Sequence, residues 1–161
     1  MKWHLKSNIM IRVAIATQRQ QTAGITPAGE RGNTMKTREQ ALKYGLSFPD
    51  TYQDAPFHDP DWQLVRVKGS RKVFLWTYNR NGFINLNVKT EPGWRDMWRQ
   101  TFPSVIPGYH QNKEHWNTII LDGSIPDKDI KNMIAASYYL ASDSPSKRIY
   151  EAVKKIPKGR V

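Results

Sequence analysis

The chain has no cysteine, which excludes disulfides, thiolate nucleophiles and Cys-ligated zinc or iron–sulfur sites. Long apolar runs are missing too: charge interrupts every hydrophobic stretch within about ten positions, short of the roughly 18 residues that cross a bilayer. No membrane partner is expected. Arg12 breaks the one stretch that resembles a secretory h-region, although Ala14 and Ala16 have an A-x-A spacing, so a cytoplasmic location is expected. Neither G-x-G-x-x-G, G-x-x-x-x-G-K-[ST] nor G-x-S-x-G occurs, which removes support for phosphate-cradling loops and nucleophile elbows. Acidic residues are few: 14 Asp and Glu stand against 25 Lys and Arg, for a net charge of +11 and a pI near 10.0. That balance favours polyanionic partners.

What is present suits one domain. The 161 residues are 39% hydrophobic and include eighteen aromatics, enough for one sizeable core. The basic excess lies mostly at the ends. Residues 1–34 carry five basic and one acidic side chain, 35–142 fourteen and eleven, and 143–161 six and two. Residues 1–34 read as a basic, poorly folded leader or as an upstream extension of the frame, since Met35 begins a sequence like a domain start. A solvated basic tail and a phosphate-binding tail both fit each end.

Local patterns give an element order for 35–142. Thr37 caps a helix with Glu39 and Gln40 in its first turn and Ala41, Leu42 and Leu46 on one face, ending before Pro49. Pro56, His58, Asp59 and Pro60 mark an irregular loop. Strands follow at Trp62–Lys68, Lys72–Tyr78 and Phe83–Lys89, joined by a turn at Lys68–Arg71 and by Asn79–Gly82. Pro92 opens a short helix that Pro103 stops. A second hairpin is expected, Val105–His110 against His115–Leu121, before a periodic helix that begins at Pro126-Asp127. The order α-βββ-α-ββ-α predicts an α+β fold, an antiparallel sheet with helices packed on one side.

Candidate chemistry is sparse. His110 and His115 flank the second turn, and His58 lies beside Asp59 and Asp61, but no motif supplies a full ligand set and neither metal nor other cofactor is expected. Asp122, Asp127 and Asp129 sit where a helix entrance favours negative charge, and capping explains them. What remains is cation and ring on the expected hairpins: Lys68, Arg71, Lys72, Arg80, Lys89, Tyr109, His110, Asn112, Lys113, His115 and Trp116. Cations on turns neutralise phosphates, while Asn, His and aromatic groups reach sugars or base edges. Solvated turn cations, core tryptophans such as Trp76 and Trp116, and a small-ligand or protein-binding pocket are the alternatives.

The run Ile106-Pro107-Gly108-Tyr109-His110-Gln111-Asn112-Lys113-Glu114-His115-Trp116-Asn117-Thr118 resembles the signature of the MmcQ/YjbR family. Leu46–Pro49, Ala55–Phe57, Asn85–Lys89 and Leu121–Gly123 join it. The resemblance spans about 35–141 and departs at Asp59–Trp62, where a Gly-containing turn is expected. It implies a frataxin-like α+β fold and DNA binding with no established reaction. A second resemblance, over Lys147–Val153 and Ile156–Val161, is to the entry into the DNA-binding domain of methylated-DNA cysteine methyltransferases and alkyltransferase-like proteins, and it implies further DNA contacts from Lys154, Lys155, Lys158 and Arg160. The Pro-Cys-His-Arg segment of that family is absent. The expectation is a non-enzymatic, weakly sequence-selective DNA-binding module accessory to alkylation repair. A fragment of a fusion lacking its methyltransferase domain is the other reading of the C-terminal segment.

Overall fold

The computed structural model describes residues 34–142. Thr37 builds a complete capping box: its side chain accepts from Gln40 N while the Gln40 side chain reaches back to the Thr37 backbone. The helix it starts, α1 (Arg38–Leu46), buries Ala41, Leu42 and Gly45. Leu46, expected on that face, is exposed, and Phe48 beyond the helix end takes its place in the core. Gly45 marks the closest approach of α1 to the sheet, since a Cβ there would lie 2.9 Å from Leu75 Cδ2 and 3.2 Å from Val65 Cγ2.

Six strands follow in one antiparallel sheet: β1 (Thr51–Asp54), β2 (Gln63–Val67), β3 (Val73–Arg80), β4 (Phe83–Lys89), β5 (Val105–Pro107) and β6 (Trp116–Ile120), in spatial order β1-β2-β3-β4-β6-β5. Helix α2 (Pro92–Thr101) lies between β4 and β5, and α3 (Asp127–Ala141) closes the described chain. The class is the α+β fold expected, with order α-ββββ-α-ββ-α. The added strand is β1, whose Thr-Tyr-Gln-Asp sequence has no apolar alternation because it is an edge strand with no fully buried residue. β3 also runs on to Arg80, leaving Asn81-Gly82 as a two-residue turn with φ of 56° and 80°.

All three helices pack on one face around a single core. A bulge helps to fill it. Val65 opposes Leu75 and Arg66 opposes Val73, so Phe74 has no partner across the ladder, and both Phe74 and Leu75 are fully buried. Phe48 stacks on Tyr138 at 4.5 Å and meets Phe74 edge-on at 6.2 Å. The Tyr138 hydroxyl donates to Pro49 O (2.9 Å). Ser137 ties α3 to two strands, donating to Phe74 O (2.5 Å) and accepting from Lys89 N (2.8 Å). Among the described residues, no helix is long and apolar enough to cross a membrane. Because Phe48 fills the junction of α1, α3 and β3, Phe48→Ala should cost about 3–5 kcal/mol, read as a lower urea midpoint with an unchanged slope.

Candidate functional site

The second face of the sheet carries the residues that sequence reasoning nominated. Strand alternation turns Leu64 and Arg66, then Trp76, Tyr78 and Arg80, then Asn87 and Lys89, and finally Trp116 and Thr118 away from the helices. Leu64 and Tyr78 are nevertheless almost completely buried, because two loops, 55–62 and 108–115, fold back over this face. Trp62 stacks on Tyr78 at 4.2 Å and Phe57 on Trp76 at 5.8 Å. Tyr109 also stacks against Tyr78, at 5.8 Å, and the Arg80 guanidinium sits 4.0 Å from the Tyr109 ring centre. The result is a second, aromatic layer, in which each ring pair adds about 0.5–1.5 kcal/mol beyond area burial.

A polar node holds the second loop down. Thr118 Oγ1 accepts from Tyr109 N (2.9 Å) and donates to Asn87 Oδ1 (2.7 Å). The Tyr78 hydroxyl donates to the same oxygen (2.8 Å), and Asn87 Nδ2 donates to Tyr109 O (2.8 Å). Burial pushes the Tyr78 phenol up, which keeps it in the donating form. Gly108 lets the chain turn onto the sheet: a Cβ there would lie 2.7 Å from Trp116 Cβ and 2.9 Å from Trp116 O. His110 then adopts φ 57°, an uncommon conformation for a non-glycine residue, with its ring 4.0 Å from Tyr109 and 6.3 Å from Trp62.

The expected second hairpin is therefore not a projecting wing. Its first strand stops at Pro107, and 108–115 is a loop on the sheet face, since the Pro-Gly-Tyr run spends its backbone groups on Trp116, Thr118 and Asn87. Asn112 is used locally, accepting Glu114 N at its side chain. Lys113 Nζ donates to Gly108 O (3.3 Å). Trp76 and Trp116 lie half-buried on this second face, outside the main core. Arg95 and Arg99 of α2 were not singled out from sequence, yet they brace the same loop: Arg95 donates to Glu114 O, and Arg99 to Lys113 O, Trp116 O and Asn117 Oδ1. Arginines three and seven residues after a helix-opening proline, on one helix face and followed by an irregular loop, were the available signal.

The nominated cations fall into two groups. Lys68, Arg71 and Lys72 form the exposed β2–β3 turn. Lys89 ends β4 at the same end of the sheet, with its ammonium 5.5 Å from the Trp116 ring centre. His115 O accepts from Thr90 N, which places His115 and Lys113 there as well. Arg80 lies at the opposite end, held against Tyr109. Lys154, Lys155, Lys158 and Arg160, with the alkyltransferase-like segment, lie outside the described residues, as do residues 1–33.

The carboxylates have structural uses. Asp61 accepts from Arg38 of α1 and from Asn79 N of β3 (2.6 Å). Partial burial raises its pKa, but the hydrogen bonds from Asn79 and Arg38 outweigh that and leave it below the ordinary value. Asp59 shapes the turn where a glycine was expected from sequence, accepting Asp61 N at its side chain (2.9 Å) and Trp62 N at its carbonyl (3.2 Å). Asp122 does not cap α3, as expected from sequence. It accepts from Ser104 and Ser124 in the preceding turn, and these bonds likewise outweigh desolvation and lower its pKa. Asp127 pairs with Lys131. No group of three or more His, Cys, Asp or Glu among the described residues could hold a metal ion.

Two concavities frame the site. One is an apolar slot of about 40 Å³ on the helix side, between α2 and α3, walled by Trp94, Trp98 and Tyr139. The other opens on the aromatic face and is lined by Phe57, Asp59, Trp62, Trp76, His110 and Gln111.

A six-stranded antiparallel sheet with three helices on one face and a loop-covered aromatic layer on the other defines an α+β protein of one recognisable class. The chain belongs to the YjbR family, whose model matches residues 46–140. It is 32% identical over 105 residues to the uncharacterized YjbR of Escherichia coli (strain K12), covering 65% of this chain and 86% of that protein. It is 31% identical over 117 residues to the uncharacterized YyaQ of Bacillus subtilis (strain 168), covering 66% and 98%. A Pseudomonas syringae crystal structure aligns with TM-score 0.59 at 28% identity over 66% of this chain and 99% of that one. The Deinococcus radiodurans protein DR2400, with a DUF419 domain, aligns with TM-score 0.65 at 24% identity over 81% and 96%, and shares the fold.

Thr118→Val keeps the shape but leaves Tyr109 N–H without its acceptor, so a loss of about 1–3 kcal/mol is expected in urea unfolding. Asp61 and Asp122 give a pH dependence of defined sign. Their folded-state pKa values are lowered, so their stabilisation is complete above about pH 4 and is lost as pH falls through the folded values. Asp129, pushed up by burial, acts in the opposite sense. Thermal unfolding between pH 6 and 2 should show the acid loss, and Asp61→Asn should reduce it.

Proposed function

We propose that the protein is a non-enzymatic nucleic-acid-binding module that meets the phosphate backbone with one end of its sheet. The observation that carries this reading is the grouping of Lys68, Arg71, Lys72, Lys89 and Lys113 at that end. Among the described residues, Glu91, Glu114 and the exposed Asp50, whose carbonyl accepts from Lys68 N, stand in opposition at this end. The described residues carry fourteen basic against eleven acidic side chains, so the excess at this end is larger than the fold average would give. Phosphate contacts of this kind release counterions and carry little sequence information. DNA with weak sequence preference is the partner proposed. The tie to alkylation repair is a separate reading, because it rests on residues 145–161 alone.

The test is fluorescence anisotropy of the full chain with a short labelled duplex across a salt series. A triple variant, Lys68→Gln, Arg71→Asn and Lys72→Gln, uses Asn at 71 because φ is 58° there and Asn tolerates that conformation. Loss of three phosphate contacts should flatten the log–log salt slope by about 2–3. An unchanged slope removes the turn from the interface, and a salt-independent affinity defeats the reading. A chain ending at Ser142 separates the sheet from Lys154, Lys155, Lys158 and Arg160: if only the full chain binds, the C-terminal segment holds the phosphates.

A further inference from the structure

We propose that the pocket between loops 55–62 and 108–115 receives a nucleobase, either an unpaired base of a strand or a free nucleoside. Its walls are π faces: Phe57 and Trp76 are nearly parallel, at 19°, and Trp62 stands close to perpendicular to both. Such rings favour a flat, polarisable ligand over a branched aliphatic one. The decisive feature is polar. Trp76 Nε1 is a buried donor with no hydrogen-bond partner among the described residues, and buried donors are rarely left unpaired without a reason.

Other polar groups at the same pocket are also uncommitted. Among the described residues, one oxygen of Asp59 accepts Asp61 N while the other makes no hydrogen bond, and the Gln111 side-chain amide makes none. His110 is exposed, and its contacts among those residues are ring contacts. The pocket therefore offers an acceptor in Asp59 and groups capable of either role in Gln111 and His110, beside the unpaired N–H that Trp76 carries on one of its walls. A base edge carries donors and acceptors side by side and satisfies this set. A phosphate would meet the Asp59 carboxylate unfavourably, and a simple ammonium ion would leave the Trp76 N–H unpaired. Phe57, 47% exposed, is the outer wall, and residues 55–60 are exposed throughout, so the entrance faces solvent.

This inference rests on the phosphate-binding reading only for the strand as the source of the base. The test follows the indole N–H signals of the full chain, labelled with ¹⁵N at tryptophan, with Trp76 assigned by the signal missing from Trp76→Phe. Three probes are added in turn: a short single-stranded oligonucleotide, an abasic strand of equal length, and the four deoxynucleosides. A shift of the Trp76 signal with the base-bearing strand and not the abasic one supports a strand base. A shift with deoxynucleosides but not with strands supports a free nucleoside. No shift with either overturns the proposal. In the strand case, the single strand should bind about tenfold more tightly than the abasic strand. Trp76→Phe and Phe57→Ala should abolish that preference while leaving abasic affinity and its salt slope unchanged. A salt-dependent affinity for the abasic strand with a silent Trp76 signal would leave the phosphate reading standing and this one refuted.

Discussion

The second face of the sheet depends on how one buried amide is satisfied. Asn87 lies in the middle of β4 with no exposed surface, where an unpaired amide would cost several kcal/mol on the order of a lost hydrogen bond or more. Tyr78 and Thr118, its neighbours on β3 and β6, fill its oxygen, and the Tyr109 carbonyl fills its nitrogen. Because that last partner belongs to a loop, the sheet cannot satisfy Asn87 without drawing 108–115 onto itself. Tyr109 then covers Tyr78, Arg80 covers Tyr109, and His110 is delivered beside Trp62. The shape of the aromatic face is thus a consequence of closing a hydrogen-bond set.

Much of the helix-bearing side was legible in the sequence, for physical reasons that can be named. The Thr37 cap, the Asn81-Gly82 turn, Pro92 at a helix start and the periodicity of 127–141 are local signals, each decided by residues within one or two turns of chain. The missing strand, Thr51–Asp54, is held by pairing with Val67–Leu64 across the sheet, and nothing within its own four residues declares that. The bulge at Phe74 was likewise invisible, because it is a property of the register between two strands. Leu46 misled because periodicity is broken by the Ser47–Pro49 turn, which lets Phe48 reach the core from outside the helix.

The candidate site was half legible for a related reason. The residues marked from composition share one region, since Tyr109, His110 and Trp116 lie on the second face and the turn lysines at its end. Their arrangement was misjudged, because an apparent hairpin signal at 105–121 does not reveal that Gly108 N, Tyr109 N and Tyr109 O all bond back to β4 and β6. Phe57, Trp62 and Gln111 escaped notice for want of any local motif. They gain meaning only when two loops 50 residues apart in sequence are laid over the same three strands.

The two faces are held together in different ways. The helix face is closed by Phe48, Phe74 and Tyr138 in mutual contact and by Ser137 bonded to both central strands, so a change there is transmitted to the whole core. The aromatic face is joined to the helix side through the sheet and through Arg38, Arg95 and Arg99, which hold its two loops, and its outermost ring, Phe57, has a solvent-facing side. Charge follows the same division: Asp59 and Asp61 serve loop 55–62, whereas Lys68, Arg71 and Lys72 stand at the opposite end of β2. The carboxylates that hold the aromatic loop in place therefore stand away from the cationic turn.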